Sequence, residues 1–313
     1  LTPLTVTIHD SAFNPFDGRL YLLVDDDLLH LDNNANKRII DIQPHVAGRS
    51  LVVDGSRNVL YMGTADGQVS AMRLSDSTTI EEIPSDVNHT HSDPILAMAV
   101  DIYGVLWAAT ECGLHYLMPS QGSLWNSEGF CIGEEIERPV DMLVEGRKLF
   151  VATESHGIHA IEYNISASGS ANPITIDRNT VWDTSDFLSG DSIADLAIAN
   201  DILYIATSDS GIDRLDISSS SWLGSWTSSN WLASDTVVGL AVTPGWLHIL
   251  GDEQVQAYDT DVLLFRSETP LSDFALAGSG ASISAWPGDL ERAPGTSMVL
   301  IGDSSGTLGR LLG

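Results

Sequence analysis

One phrase, two apolar runs joined by a polar turn, recurs along this 313-residue chain, and a fixed internal period constrains a fold more than any single motif. Its clearest copy is LYIATSDSGIDRLD, residues 203–216. The copies begin RLYLLVDDD at 19, VLYMGTADG at 59, VLWAATECG at 105, KLFVATESHG at 148, ILYIATSDSG at 202, WLHILGDEQ at 246 and MVLIGDSSG at 298. Their anchors, Tyr21, Tyr61, Trp107, Phe150, Tyr204, His248 and Leu300, are spaced 40, 46, 43, 54, 44 and 52 residues apart. Strand-sized apolar runs at that period predict an all-β fold, a seven-bladed β-propeller of four-stranded antiparallel blades.

Two units align without a gap at an offset of 44. VWDTSDFLSGDSIADLAI (181–198) places Trp182 on Trp226, Phe187 on Trp231, Leu188 on Leu232, Asp191 on Asp235 and Leu196 on Leu240 of SWTSSNWLASDTVVGLAV (225–242). Within a unit ADLAIA reads as the inner strand, ILYIAT as the second, GIDRLDI as the third and SWLGSWTS as the outer one. Near-continuous apolar runs in the first two expect neighbours on both sheet faces. The seventh unit stops after its third strand, so residues 4–9 are expected to form the outer strand of the last blade and close the ring. The whole of 1–313 then reads as one propeller domain.

The phrase W-x-T/S-x-x-[FW]-L-x-x-D-x-[IV]-x-x-L-A-[IV], followed by LYIATxxxGIDRLD, resembles the two-component regulator propeller repeat, most closely over units three to six. That resemblance implies an extracytoplasmic sensing or ligand-binding propeller, often part of a longer membrane-anchored receptor, and it implies no catalytic residues.

Acidic residues outnumber basic ones 43 to 14, a net charge of -29, and Lys37 and Lys148 are the lysines. Such a surface repels phosphate backbones and anionic membranes and attracts divalent cations and basic protein patches. Nucleic acid is therefore excluded as an expected partner. A glycan, a peptide or a basic protein surface is expected instead, at an extracellular or periplasmic site. No apolar run reaches the length of a membrane span, and the chain reads either as a mature protein or as one module of a larger one. Cys112 and Cys131 lack CxxC spacing and read either as one bridge or as two thiols.

Seven turns between second and third strands each carry acid: Asp26 within Asp25–Asp27, Asp66, Glu111, Glu154, Asp209, Glu253 beside Asp252, and Asp303. In a propeller they form an acidic ring on the face that bears the loops joining successive blades. Calcium is the cofactor such a ring would invite, and no other is expected. Asp141 and Asp195 share one register of the inner strand in adjacent blades, where they could hold a ligand at the channel mouth. Should they stand roughly 5 to 9 Å apart, they could instead share acid and base roles on a sugar, the alternative of a propeller enzyme acting on glycans or lactones. The competing reading is that they tie one blade to the next, since buried carboxyls are normally paired. A passive structural or adhesive module is the third class.

Trp222 is the tryptophan that the repeat leaves unexplained, and it joins Asp141 and Asp195 as a candidate ligand contact. His89, His91 and Asp93 alternate in NHTHSD and would face one side of an extended strand, a weak metal pattern set against a polar loop. GDSSG at 302–306 spells a nucleophile elbow around Ser304, yet it occupies the repeat's hairpin and lacks the following helix. The inserts 166–180 and 286–296 are the expected specificity loops.

Overall fold

The computed structural model describes residues 8–14, 18–24, 27–31, 39–43, 48–75, 78–83, 93–117, 136, 138–166, 174–262, 264–271, 280–286, 298–303 and 308–312. Every regular element among them is a strand apart from a single turn-like residue at Leu271. No helix there is long and apolar enough to cross a membrane. The first sheet is β1 (Ile8–Asn14), β2 (Arg19–Val24), β3 (Asp27–Leu31) and β4 (Ile39–Gln43), and the second is β5 (Gly48–Asp54), β6 (Val59–Thr64), β7 (Val69–Arg73) and β8 (Thr78–Ile83). The third is β9 (Ala97–Val100), β10 (Leu106–Thr110) and β11 (Gly113–Leu117). The fourth is β12 (Pro139–Glu145), β13 (Lys148–Thr153), β14 (Ile158–Ile165) and β15 (Ile174–Trp182). The fifth is β16 (Ile193–Ala199), β17 (Ile202–Thr207), β18 (Gly211–Asp216) and β19 (Ser221–Trp226). The sixth is β20 (Val237–Thr243), β21 (Trp246–Gly251), β22 (Gln254–Asp259) and β23 (Leu264–Pro270), and the seventh is β24 (Gly280–Trp286), β25 (Met298–Asp303) and β26 (Leu308–Leu312).

Each sheet is an antiparallel meander in chain order, and its first strand packs against the first strand of the next sheet. The sequence β1, β5, β9, β12, β16, β20, β24 also returns, because β24 touches β1. The chain is thus an all-β propeller. Four strands per unit are seen in five sheets; the third and seventh show three among the described residues, with 118–135 and 1–7 lying outside them. The expected closing strand needs correction in part. Ile8 and His9 belong to β1, where Ile8 pairs with Val24 of the first sheet, and not to an outer strand of the last. Residues 1–7 lie outside the described residues.

The second strands are buried throughout in β6 and β10 and all but their first residue in β13 and β17, since adjoining sheets cover both faces. The core accordingly lies between sheets. Trp107 and Tyr116 meet Met142, Val151 and Tyr163 across the third and fourth, while Phe150 and Ile158 meet Leu196, Leu203 and Ile205 across the fourth and fifth. Tyr163 adds a polar clamp at the same place, donating its buried hydroxyl to Asp101 Oδ2 at 2.6 Å.

The recurrent Thr of the A-T pair has a local reason. Thr153 and Thr207 sit buried at the ends of β13 and β17, each donating its hydroxyl at 2.9 Å to the carbonyl of the glycine four residues on. Each Oγ1 also accepts a backbone N–H, from His156 and Ser210 respectively, so the turn closes on itself. The hairpin Asn200–Asp201 has both residues at positive φ, 51° and 62°, as a two-residue turn of right-twisted strands demands.

Candidate functional site

The inner strands enclose a cavity of about 610 Å³. Three carboxyls line it near one end: Asp10 on β1, Asp141 on β12 and Asp195 on β16. All three occupy one register position, just after a bulge, opposite Leu23, Ala152 and Ala206 of the second strands. Ser50, Gly239 and Ser282 follow the same bulge in three other sheets.

The bulge turns each carboxyl toward the neighbouring sheet. Asp141 accepts the N–H of Met142 at 2.7 Å through Oδ1 and that of Leu196, on the next inner strand, at 2.9 Å through Oδ2. Asp195 repeats the pattern, taking Leu196 N–H at 2.9 Å and Leu240 N–H at 2.6 Å. Asp10 does the same with Ser11 at 2.6 Å and Leu51 at 2.7 Å. Ser50 bridges onward with its hydroxyl, donating to Ile95 O at 3.2 Å. Gly239 must be small here, since a Cβ would stand 2.9 Å from Ile283 Cγ2 and 3.3 Å from Asp195 Oδ2.

Burial raises all three carboxyls above the usual range, the backbone donors pulling the other way. Asp10 is pushed up to about 7, chiefly by burial, with the charge of Asp141 adding to the rise. Asp195 stands well above the ordinary carboxylate value through burial first and the adjacent Asp141 charge second. Asp141 and Asp195 lie on adjoining inner strands and both accept the Leu196 N–H, and their mutual influence, added to burial, favours retention of a proton by the pair. Through their backbone partners Met142, Leu196 and Leu240, both carboxyls tie their own inner strand to the next.

The acidic turns lie at the same end of the molecule. Backbone bonds join them to the loops that enter the inner strands, from Glu154 N–H to Arg138 O, Ser208 N–H to Ser192 O and Gly211 N–H to Asp235 O. Asp66, Glu111, Glu154, Asp209 and Glu253 are exposed there. Glu154 accepts from Arg138 Nη1 at 2.6 Å, Asp209 from Ser210 Oγ at 2.8 Å, and Asp66 from the Thr64 hydroxyl. Asp27 is half-buried at the start of β3, Asp303 ends β25, and Asp26 lies outside the described residues.

Trp222 is not brought to the cavity. It stands 51% exposed on β19, the outermost strand of its sheet, whereas Asp195 lies on the innermost. Of the metal pattern, Asp93 is half-buried with one carboxylate oxygen buried and without a hydrogen bond, and His89 and His91 lie outside the described residues. No group of three His, Cys, Asp or Glu among the described residues is placed to hold a metal. Ser304 and Cys131 also fall outside them, and the segment after Asp303 resumes as strand β26, not as a helix. The insert 166–180 is in part regular, because residues 174–180 belong to β15.

Asp10 is the site residue that the repeat reading missed. The hairpin between β1 and β2 is two residues longer than that between β12 and β13, so Asp10 falls eleven residues before its anchor Tyr21 while Asp141 falls nine before Phe150. Aligning from the bulge would have found it.

No protein-family profile matches the chain. A type II inositol polyphosphate 5-phosphatase 15 of Arabidopsis thaliana is 28% identical over 141 residues, which is 42% of this chain and 11% of that protein. The chain thus spans about a tenth of that relative's length. Among solved structures, a chain in the crystal structure of the mitotic checkpoint complex superposes with a TM-score of 0.67 at 10% identity, over 100% of this chain and 90% of that one. At that identity the likeness speaks for the propeller fold alone.

Proposed function

We propose that residues 1–313 form one seven-bladed propeller domain that is a non-catalytic binding module, presenting its acidic turn face to a basic protein surface. One observation carries the reading. The carboxyls best placed for chemistry, Asp141 and Asp195, are hydrogen-bonded to backbone N–H groups of their own and the next inner strand, while the carboxylates of the turns face solvent. What is left exposed is charge suited to attraction and orientation. The contact of β24 with β1 supports the closed ring. An extracellular or periplasmic setting, with the sensing role that the repeat resembles, belongs to the same proposal; the phosphatase activity of the plant relative does not, since the match covers so little of it.

The test is binding of a lysine- and arginine-rich peptide to the full chain at low and high salt. Affinity should fall steeply with salt, and the triple variant Glu111→Lys, Asp209→Lys, Glu253→Lys should weaken it at least tenfold with an unchanged melting temperature. Undiminished binding by that variant would contradict the assignment of the face.

A further inference from the structure

A second site is legible by comparing two equivalent seams of the ring. At the fifth sheet Tyr204, Trp226 and Trp231 of the loop that follows lie in a row, tilted to one another, with centroids 5.7 and 6.1 Å apart. Phe150, Trp182 and Phe187 form the same row in the fourth, at 6.0 and 5.4 Å. The strand registers make Ala160 of β14 the counterpart of Arg214 of β18, for Ala160 pairs with Phe150 and Arg214 with Tyr204. Arg214 lies over the Trp226 ring at 4.8 Å and donates to Leu223 O at 2.8 Å, and Tyr258 of the next sheet stacks on the same ring at 4.9 Å where the other seam has Leu215; Trp226 is 2% exposed. Ala160 cannot reach its tryptophan. The corresponding space beside Trp182 is an open cleft of about 190 Å³ between the fourth and fifth sheets.

Its walls are Phe150, Ile161, Trp182, Phe187, Leu215 and Ile217. One end is polar. There Lys148, Glu162 and Arg178 stand abreast on β13, β14 and β15, in register with one another. Lys148 is held in place, donating to Ile217 O at 2.7 Å and Ser220 Oγ at 3.2 Å. Arg178 is exposed and has no side-chain hydrogen bond or ion pair among the described residues. Among the residues that line the cleft, two cations stand against one carboxylate, within a chain of net charge -29.

Size, walls and charge select one chemistry. An apolar cavity of about 150 Å³ accommodates a benzene ring, so about 190 Å³ takes a ring and little more. A planar ring would lie against Trp182 as the Arg214 guanidinium lies against Trp226, and a carboxylate on a short tether would reach the fork of Arg178. A cationic occupant, which the Arg214 comparison alone would suggest, meets Lys148 and Arg178 instead. We propose that the cleft between the fourth and fifth sheets binds an aromatic ring bearing a carboxylate, either a free aryl acid or the C-terminal aromatic residue of a peptide. This site opens beside the Gly146–Arg147 and Ser218–Ser220 turns, at the opposite end of the strands from the acidic turn face, so it stands independently of the function proposed above.

Titration calorimetry of the full chain with 3-phenylpropionate tests it. Saturable one-to-one binding is expected, weakened at least tenfold in Arg178→Gln and abolished in Ala160→Arg, which installs the plug the fifth sheet already has. Arg178→Gln alters an exposed side chain with no hydrogen-bond or ion-pair partner among the described residues, so it reports even if Ala160→Arg fails to fold. A peptide ending in Phe, set against its C-terminal amide, separates the two sources: binding of the acid form but not the amide favours a chain terminus, and binding of the small acid alone favours a free ligand. Absence of saturable binding by both acids, an unchanged affinity in Arg178→Gln, or tighter binding of phenylguanidine than of phenylpropionate would overturn the proposal.

Discussion

Single aspartates explain much of why the repeat is spelled as it is. Asp191 and Asp235, matched in the sequence at an offset of 44, make the same loop clamp. Asp191 accepts the Thr184 N–H at 2.7 Å and its hydroxyl at 2.9 Å, and Asp235 accepts the Ser228 N–H at 2.6 Å and its hydroxyl at 2.9 Å. Their carbonyls then receive the N–H of the glycine that closes the preceding hairpin, Gly157 and Gly211. Conversion of Asp235 to alanine removes both bonds, whose exposed donors pass to water, and should cost about 1 kcal/mol, read as a drop in Tm. Because Ser228 shares that interaction, Ser228→Ala added to Asp235→Ala should cost little more. Asp209→Ala, at an exposed turn of the same unit, should change stability by no more than about 0.5 kcal/mol and leave Tm nearly unmoved. Equal losses at Asp235 and Asp209 would contradict the clamp.

At the scale of the strand and its turn, glycine separates conformational need from spatial need. Gly211 has φ of 88°, and a Cβ there would lie 2.1 Å from the Trp226 carbonyl oxygen; Gly146 has φ of 62° with open space around it. Gly146→Ala should therefore cost only the strain of the left-handed backbone, about 1 kcal/mol. Gly211→Ala must also push the outer strand away from its neighbour and should lower Tm by clearly more; a reversed order in thermal melts would refute this account. Such turns were legible in the sequence because glycine recurs three or four residues after the Thr. Less legible was the first strand. Its hairpin to β2 is longer than in the fourth and fifth units, which hid the bulge and Asp10 from alignment by the apolar run. The cleft beside Trp182 escaped for a different reason: an alanine reads as unremarkable packing until the equivalent Arg214 shows what it leaves empty.

For the whole molecule the question is what keeps separate sheets in one ring. Apolar seams do most of it, since second strands such as β6, β10, β13 and β17 are buried from both sides. The period and its apolar runs made that architecture readable from sequence alone. Carboxyls add direction, because each of Asp10, Asp141 and Asp195 holds the backbone of the next inner strand as well as its own. That Asp141 and Asp195 tie one inner strand to the next could not be read from their register alone; their N–H partners show it.

Their burial also fixes the sign of a pH effect. A carboxyl whose folded value lies above its unfolded one gives stability that is complete below about pH 4 and is lost as pH rises through the folded value. For Asp10 that window runs from about 4 to about 7. The Tm advantage of wild type over Asp10→Asn should thus be largest near pH 4 and should shrink toward pH 7. His248, held down to about 4 by burial, slopes the opposite way in both proteins and cancels in the comparison.

The most direct measurement is a titration of the aspartate side-chain carboxyls by carbon NMR in selectively labelled chain, with Asp10→Asn, Asp141→Asn and Asp195→Asn used for assignment. One carboxyl titrating near pH 7 and lost in Asp10→Asn is expected, together with a coupled pair that keeps a proton well above the ordinary range and disappears when either Asp141 or Asp195 is replaced. All three titrating independently near pH 4 would mean that these carboxyls face water and do not join the sheets.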